Sequence, residues 1–151
     1  MGTRYSGALG TAGHGFAEHT ADCACEVWAP TFAGLLAEAG RAFTDAITPI
    51  EGVEAREEHR LAVAAGAPDE LLVAWLEELL YLFETTDVLV CGAKVRVDEA
   101  GGELRLTATV AGEPFDGERH PLRTLIKGVT YHDLTVEERS DGWRARVIFD
   151  I

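Results

Sequence analysis

The chain predicts an α+β fold, a mostly antiparallel sheet or pair of sheets with two amphipathic helices packed on it, and three observations carry that prediction. Apolar residues recur at helical spacing in two stretches, Phe32 to Ile47 and Leu72 to Phe83. Beyond the second, the period drops to two and stays there to the end of the sequence. The 151 residues, 47% of them hydrophobic, are enough for one core without disulfides or a structural metal.

Taken in order, residues 1–14 are rich in glycine and offer almost nothing to bury, so they read as a flexible leader, with the domain proper at 15–151. Ala24 to Trp28 is a short apolar strand that Pro30 ends. Thr31 then offers a side-chain oxygen to cap a helix whose apolar stripe is Phe32, Leu35, Leu36, Ala39, Phe43 and Ile47. That helix stops before Thr48-Pro49. Val53 to Ala65 reads as a strand, with Leu61, Val63 and Ala65 on one face and Arg56, Glu58 and Arg60 on a wet one. Gly66-Ala67-Pro68 ends it, and Asp69 is the expected cap of a second helix with Leu72, Trp75, Leu76, Leu79 and Phe83 facing the core.

Val88 to Asp98 and Glu103 to Ala111 flank Glu99-Ala100-Gly101-Gly102, a hairpin turn. Residues 112–121 read as a loop. Leu122 to Arg139 and Trp143 to Ile151 flank a second turn, Ser140-Asp141-Gly142. The total is about six strands. On the last, Trp143, Ala145, Val147 and Phe149 alternate with Arg144, Arg146, Ile148 and Asp150, so Asp150 points away from the core.

A formal net charge of -13 argues against a protein whose main surface tracks nucleic-acid phosphates, so RNA enters only indirectly. No run reaches the roughly 18 to 20 apolar residues of a membrane span, and no signal-peptide pattern opens the chain, which predicts a soluble cytoplasmic protein with no membrane partner. Cys23, Cys25 and Cys91 include no CxxC pair and read as small hydrophobes.

Glu18-His19-Thr20-Ala21-Asp22 packs a carboxylate, an imidazole, a hydroxyl and a second carboxylate into five residues just ahead of an apolar strand. By residue type alone Asp22 suits a turn or cap, and His19 a partly buried hydrogen-bonder. Asp150 adjoins Ile151, whose free carboxylate would lie within a few ångströms of it, a solvated end or a place for a hard cation such as Ca²⁺, Mg²⁺ or Mn²⁺. A zinc reading of His19 and Asp22 with His120 or His132 lacks a recognised ligand spacing. The two serines, Ser6 and Ser140, are in no nucleophile elbow, and no phosphate-binding glycine motif is present. Arg119, His120, Arg123, Lys127 and His132 form a local concentration of cations, either ordinary solvated positions or a contact patch for an acidic partner.

Four ordered motifs resemble the archease family: Glu18 to Asp22, Trp75-Leu76-Glu77-Glu78-Leu79-Leu80-Tyr81, Lys127-Gly128-Val129-Thr130-Tyr131-His132, and Phe149-Asp150-Ile151. The resemblance implies an α+β accessory protein, not an enzyme. Its partner would be an RtcB-type tRNA-splicing or RNA-repair ligase, an RNA 3′-phosphate ligase, whose guanylylation by GTP and multiple turnover it promotes. The resemblance also implies a divalent cation, calcium, magnesium or manganese, held by Asp22 and Asp150 with Ile151 contributing, His19 and Glu18 as neighbours, and Lys127 and His132 as partner contacts. Cys23-Ala24-Cys25 departs from the family's usual aliphatic residue and glycine, and Gly128 stands where alanine is common. A chaperone or specificity modulator of an RNA-modifying enzyme, such as a tRNA methyltransferase, is the alternative. A stand-alone metal-dependent hydrolase would need Glu18 or His19 as its general base.

Overall fold

The computed structural model describes residues 11–18 and 22–151. It has two helices and seven strands, in the order β1 (Gly13–Glu18), β2 (Asp22–Ala29), α1 (Phe32–Ile47), β3 (Glu57–Ala65), α2 (Pro68–Thr86), β4 (Val88–Ala100), β5 (Glu103–Pro114), β6 (Gly128–Arg139) and β7 (Gly142–Asp150). The strands form two antiparallel sheets, one ordered β1-β2-β7-β6 and the other β3-β5-β4. The α+β class is therefore correct, with two sheets as its form.

Each helix touches both sheets: α1 packs on β1, β2 and β7 of the first and β4 of the second, and α2 on β3, β4 and β5 of the second and β6 of the first. Burial accordingly extends beyond one stripe, and α1 encloses Ala42, Phe43 and Thr44 in succession. The helices cross where Gly40 lets Leu79 and Trp75 approach; a Cβ there would stand 3.2 Å from Leu79 Cδ1. The Trp75 indole N–H donates to the Leu36 carbonyl at 2.7 Å, so the largest buried side chain has its one polar atom satisfied. Thr44 Oγ1 donates to the Val90 carbonyl at 2.6 Å, fixing α1 against β4.

Thr31 caps α1 as expected, its hydroxyl accepting from the Gly34 N–H at 3.0 Å. Asp69 does not cap α2. Ala67 is the cap residue and Pro68 takes the first helical position, where its missing N–H costs nothing, leaving Asp69 inside the first turn. At the other end of α2, Asp87 adopts φ 64° and its N–H donates to the Phe83 carbonyl.

Several boundaries differ from the expected ones; the strand expected over Val53 to Ala65 begins only at Glu57. Gly13 and His14, assigned to the leader, begin β1, which pairs along β2 from Gly13–Trp28 to Glu18–Cys23. The expected loop at 112–121 starts late because β5 continues to Pro114; Gly112 permits this, since a Cβ there would fall 1.8 Å from the Leu89 carbonyl oxygen. Residues 122–127 are not strand. Arg123 donates its N–H to Ile47 and Lys127 to Asp150, so the segment passes from the end of α1 to the end of β7 rather than along one neighbour.

Candidate functional site

The first and last strands of the domain's central pair place Asp22 directly opposite Asp150 in the β2–β7 register. Residues so paired share a face, with Cβ atoms about 4.5–5.5 Å apart, and like charges there repel. The outward set of β2 is Asp22, Ala24, Glu26 and Trp28, while Cys23, Cys25, Val27 and Ala29 join the core. The outward set of β7 ends on Asp150, which is exposed. Asp22 is half-buried, and its Oδ1 is fully covered with no hydrogen-bond partner among the described residues; only Thr48 Oγ1 shares that condition. A buried carboxylate oxygen lacking a donor is costly, and more so beside a second carboxylate.

Two other features converge on this end. Gly128 pairs with Asp150 from the other side, and the Lys127 N–H donates to the Asp150 carbonyl at 2.7 Å, bringing Lys127 beside the pair. Ile151 follows Asp150 and is half-buried. His132 is not brought in. It lies on the irregular part of β6 between Thr130 and Thr135, 76% exposed, with Nε2 3.4 Å from Asp133 Oδ2. His19 falls outside the described residues, as does the side chain of Glu18. Among the described residues no three His, Cys, Asp or Glu side chains cluster as metal ligands. Two facing carboxylates offer only oxygen donors, the chemistry of calcium, magnesium or manganese rather than of zinc.

The local run of cations at 119–132 does not form a patch. Arg119 makes a double hydrogen bond to the buried carboxylate of Glu113, 2.8 Å to each oxygen. His120, also buried, accepts the Asp116 N–H at Nδ1, so its Nε2 carries the proton and donates to Glu113 Oε2 at 3.0 Å. Glu54 N–H adds a third donor at 2.7 Å. The Arg119 bonds, outweighing burial and helped by Glu54 and His120, hold the Glu113 carboxyl well below the usual carboxylate range. Arg123 turns to α1, where its guanidinium donates to the Asp45 carbonyl at 2.9 Å.

A second ionic knot fastens β1. His14 bonds Glu38 at 2.6 Å through Nδ1 and Asp45 at 3.0 Å through Nε2. Burial works against its charge, but the two carboxylates prevail and raise its pKa. Sequence reasoning missed this residue, because its partners are 24 and 31 positions away. The cysteines make no disulfide, and burial pushes the Cys25 thiol well up and the Cys91 thiol up, which removes both from nucleophilic chemistry.

Fold and site together define a small α+β protein with a pair of facing carboxylates suited to a hard cation at one end of its four-stranded sheet. The model of the Archease protein family matches residues 14–151, and the chain belongs to that family. The archease of Methanopyrus kandleri is 38% identical over 134 residues, 89% of this chain and 96% of that one. The archease of Methanosarcina mazei is 36% identical over 137 residues, 90% of this chain and 94% of that one. The solution structure of Methanobacterium thermoautotrophicum protein 1598 superposes with a TM-score of 0.81 at 32% identity, covering 92% of this chain and 99% of that one.

Proposed function

We propose that this protein is a divalent-cation-binding accessory protein that activates an RtcB-type RNA 3′-phosphate ligase, promoting its guanylylation by GTP and its multiple turnover. Family membership supports the accessory role. The observation that carries the metal reading is the covered, partnerless Oδ1 of Asp22 directly across the strand pair from Asp150. Asp22 and Asp150 would hold the cation, with Ile151 contributing through its terminal carboxylate. When bound, the cation supplies positive charge that neutralises developing anionic oxygens. The protein's own residues then fix where that charge is presented: the β2–β7 register sets the carboxylate spacing, and the Lys127–Asp150 backbone bond pins the end of β7.

The surface beside the pair suits a protein partner. Leu122 is 54% and Leu125 52% exposed on the 122–127 segment that ends at Lys127, and Tyr131 is 62% exposed on the irregular part of β6 that follows. Aliphatic and aromatic anchors ringed by charge are what a docking surface for a large enzyme needs. Lys127 is the contact residue nearest the pair, and His132 sits at the solvent edge of β6 beside Tyr131.

The test is single-turnover guanylylation of the cognate ligase with and without this protein, across Mn²⁺, Mg²⁺ and Ca²⁺. Asp22→Ala and Asp150→Ala should remove the activation while the fold, read by circular dichroism, is kept. Unchanged guanylylation with either variant would refute the reading, as would activation that survives a chelator.

A further inference from the structure

The 26 acidic side chains of this chain outnumber the 13 basic ones, yet one surface reverses that balance. On the outer face of the β3-β5-β4 sheet the register lays Arg60, Thr109 and Lys94 in one row across the three strands, and Ala62, Thr107 and Arg96 in the next. A third row adds Arg105, between Ala64 and Asp98. Four of the thirteen cations thus share one face of one small sheet. Arg60, Lys94 and Arg96 line an open groove of about 540 Å³ with Thr107 and Thr109.

Two of them are uncommitted. Arg96 leans on Asp98 at 3.0 Å and Arg105 on Glu103 at 3.1 Å, both in the exposed fashion that contributes little. Arg60 and Lys94 are exposed, and neither makes a hydrogen bond or ion pair among the described residues. Their like charges flank Thr109 in one row, two strand spacings or roughly 10 Å apart, with Arg96 roughly 7 Å along β4 from Lys94. Glu58, Asp98 and Glu103 share this face, so the positive field is confined to the Arg60 and Lys94 row with Arg96 beside it, which is spread for two or three anionic groups in succession rather than for one ion.

We propose that this sheet face binds the phosphodiester backbone of single-stranded RNA. Charge complementarity selects a polyanion, and the rest of the face selects among polyanions. An acidic protein segment would be anchored by aromatic or aliphatic contacts, and the outward positions offer only alanine, threonine and charge. The same positions carry no aromatic ring on which a base could stack, so contact is with phosphates and is indifferent to sequence. The choice of RNA as the strand rests on the ligase reading above; the phosphate contact itself does not. Repulsion from the remaining acidic surface weakens binding, but at physiological salt that field decays over about 8 Å, which lets the local face act. The net charge therefore excludes a protein that is basic overall and leaves a basic face intact.

Amide chemical shifts of the labelled protein, titrated with a twelve-nucleotide oligouridylate at 50 mM salt, test this without any ligase present. Shifts should cluster at Arg60, Lys94, Arg96, Thr107 and Thr109. Three phosphate contacts give a log–log salt slope of about -2, so affinity should fall on the order of twentyfold by 200 mM salt. Arg60→Glu with Lys94→Glu should weaken binding at least tenfold while shifts in the rest of the chain stay in place. Absence of shifts on this face at millimolar oligouridylate overturns the proposal. So does undiminished binding by the double variant, or a polyglutamate peptide of equal charge that binds as tightly as the RNA.

Discussion

Two places in this protein gather like charges across strands that are far apart in sequence, and the ligands proposed for them differ. At one end of the four-stranded sheet Asp22 faces Asp150, and one oxygen of the pair is covered and unpartnered. On the three-stranded sheet Arg60, Lys94 and Arg96 lie open to water over a groove, with Arg105 on the same face. The first arrangement is ion-sized: Asp150 is exposed, but water does not reach the covered Oδ1 of Asp22, and a single compact charge would offset the repulsion. The second costs little because solvent screens it, and its breadth suits a chain of charges. Coverage by neighbouring atoms, rather than the number of charges, separates a metal site from a polyanion surface.

The largest effects should come from the covered end. Asp150→Ala is expected to lower ligase activation at least tenfold, whereas Arg60→Glu leaves guanylylation by GTP unchanged, because that step needs no RNA. Equal losses in the two variants would erase the distinction between the sites. Next in size is a residue at neither. Glu113→Gln removes the charge and leaves one oxygen where two accepted from Arg119, His120 and the Glu54 N–H. The new amide N–H₂ then faces a donor in a buried place, so a loss of about 3 kcal/mol in urea unfolding is expected. Since the folded pKa of Glu113 is depressed, its contribution is present above the ordinary carboxylate value of 4.5 and is lost as pH falls below it. The difference between wild type and Glu113→Gln should therefore shrink on acidification.

This contrast explains which features were legible in the sequence. The helices were, because α1 and α2 carry their signal within themselves, in the spacing of Leu35, Leu36, Ala39 and Phe43 and of Leu72, Trp75, Leu76 and Leu79. The hairpins were too, since Gly101 at φ 62° and Gly102 at φ 78° mark the β4–β5 turn locally. What depended on distant partners was not. The start of β1, Gly13 and His14, reads as leader, but Gly13 is required where the Trp28 ring passes; a Cβ would meet it at 2.7 Å. The cations adjacent in sequence, Arg119, His120 and Arg123, are drawn apart by Glu113 and Asp45, while Arg60, Lys94 and Arg105, dispersed over three strands, are drawn together. Asp22 and Asp150 were paired through the family resemblance, not through spacing; the β2–β7 register supplies the physical pairing.

A smaller effect comes from the opposite end of β1, where His14 pairs with Val27. β1 is an edge strand, and His14 ties it to α1 through Glu38 and Asp45, close to Arg41 and Arg123 that pair with the same two carboxylates. Because the folded pKa of His14 is raised, its ionic contribution is complete below the ordinary value of 6.5 and disappears as pH rises through the higher folded value. His14→Gln should cost about 1 kcal/mol at pH 6 and progressively less toward pH 9. Hydrogen exchange of the β1 amides should report the same trend. A gap that widens with pH would contradict the assignment of charge to His14.

The smallest effect is also the most discriminating, because its sign reverses. Without divalent cations, Asp22→Asn removes one of two facing negative charges and should stabilise the fold by about 0.5 kcal/mol, the size of a cross-strand charge term. On the proposed reading calcium or manganese binds the native pair more tightly, so at a hundredfold excess over its dissociation constant it should add about 2.7 kcal/mol to wild type. The neutralised variant, having lost half the charge and one oxygen donor, gains much less. The order of the two unfolding midpoints should thus cross as metal is added. A parallel measurement on Arg60→Glu should show no crossing, since that face is open, cationic and on the other sheet. If Asp22→Asn is destabilising in chelator as well as in metal, then the partnerless Oδ1 of Asp22 is serving the bare fold, and the facing carboxylates are a structural pair rather than a cation site.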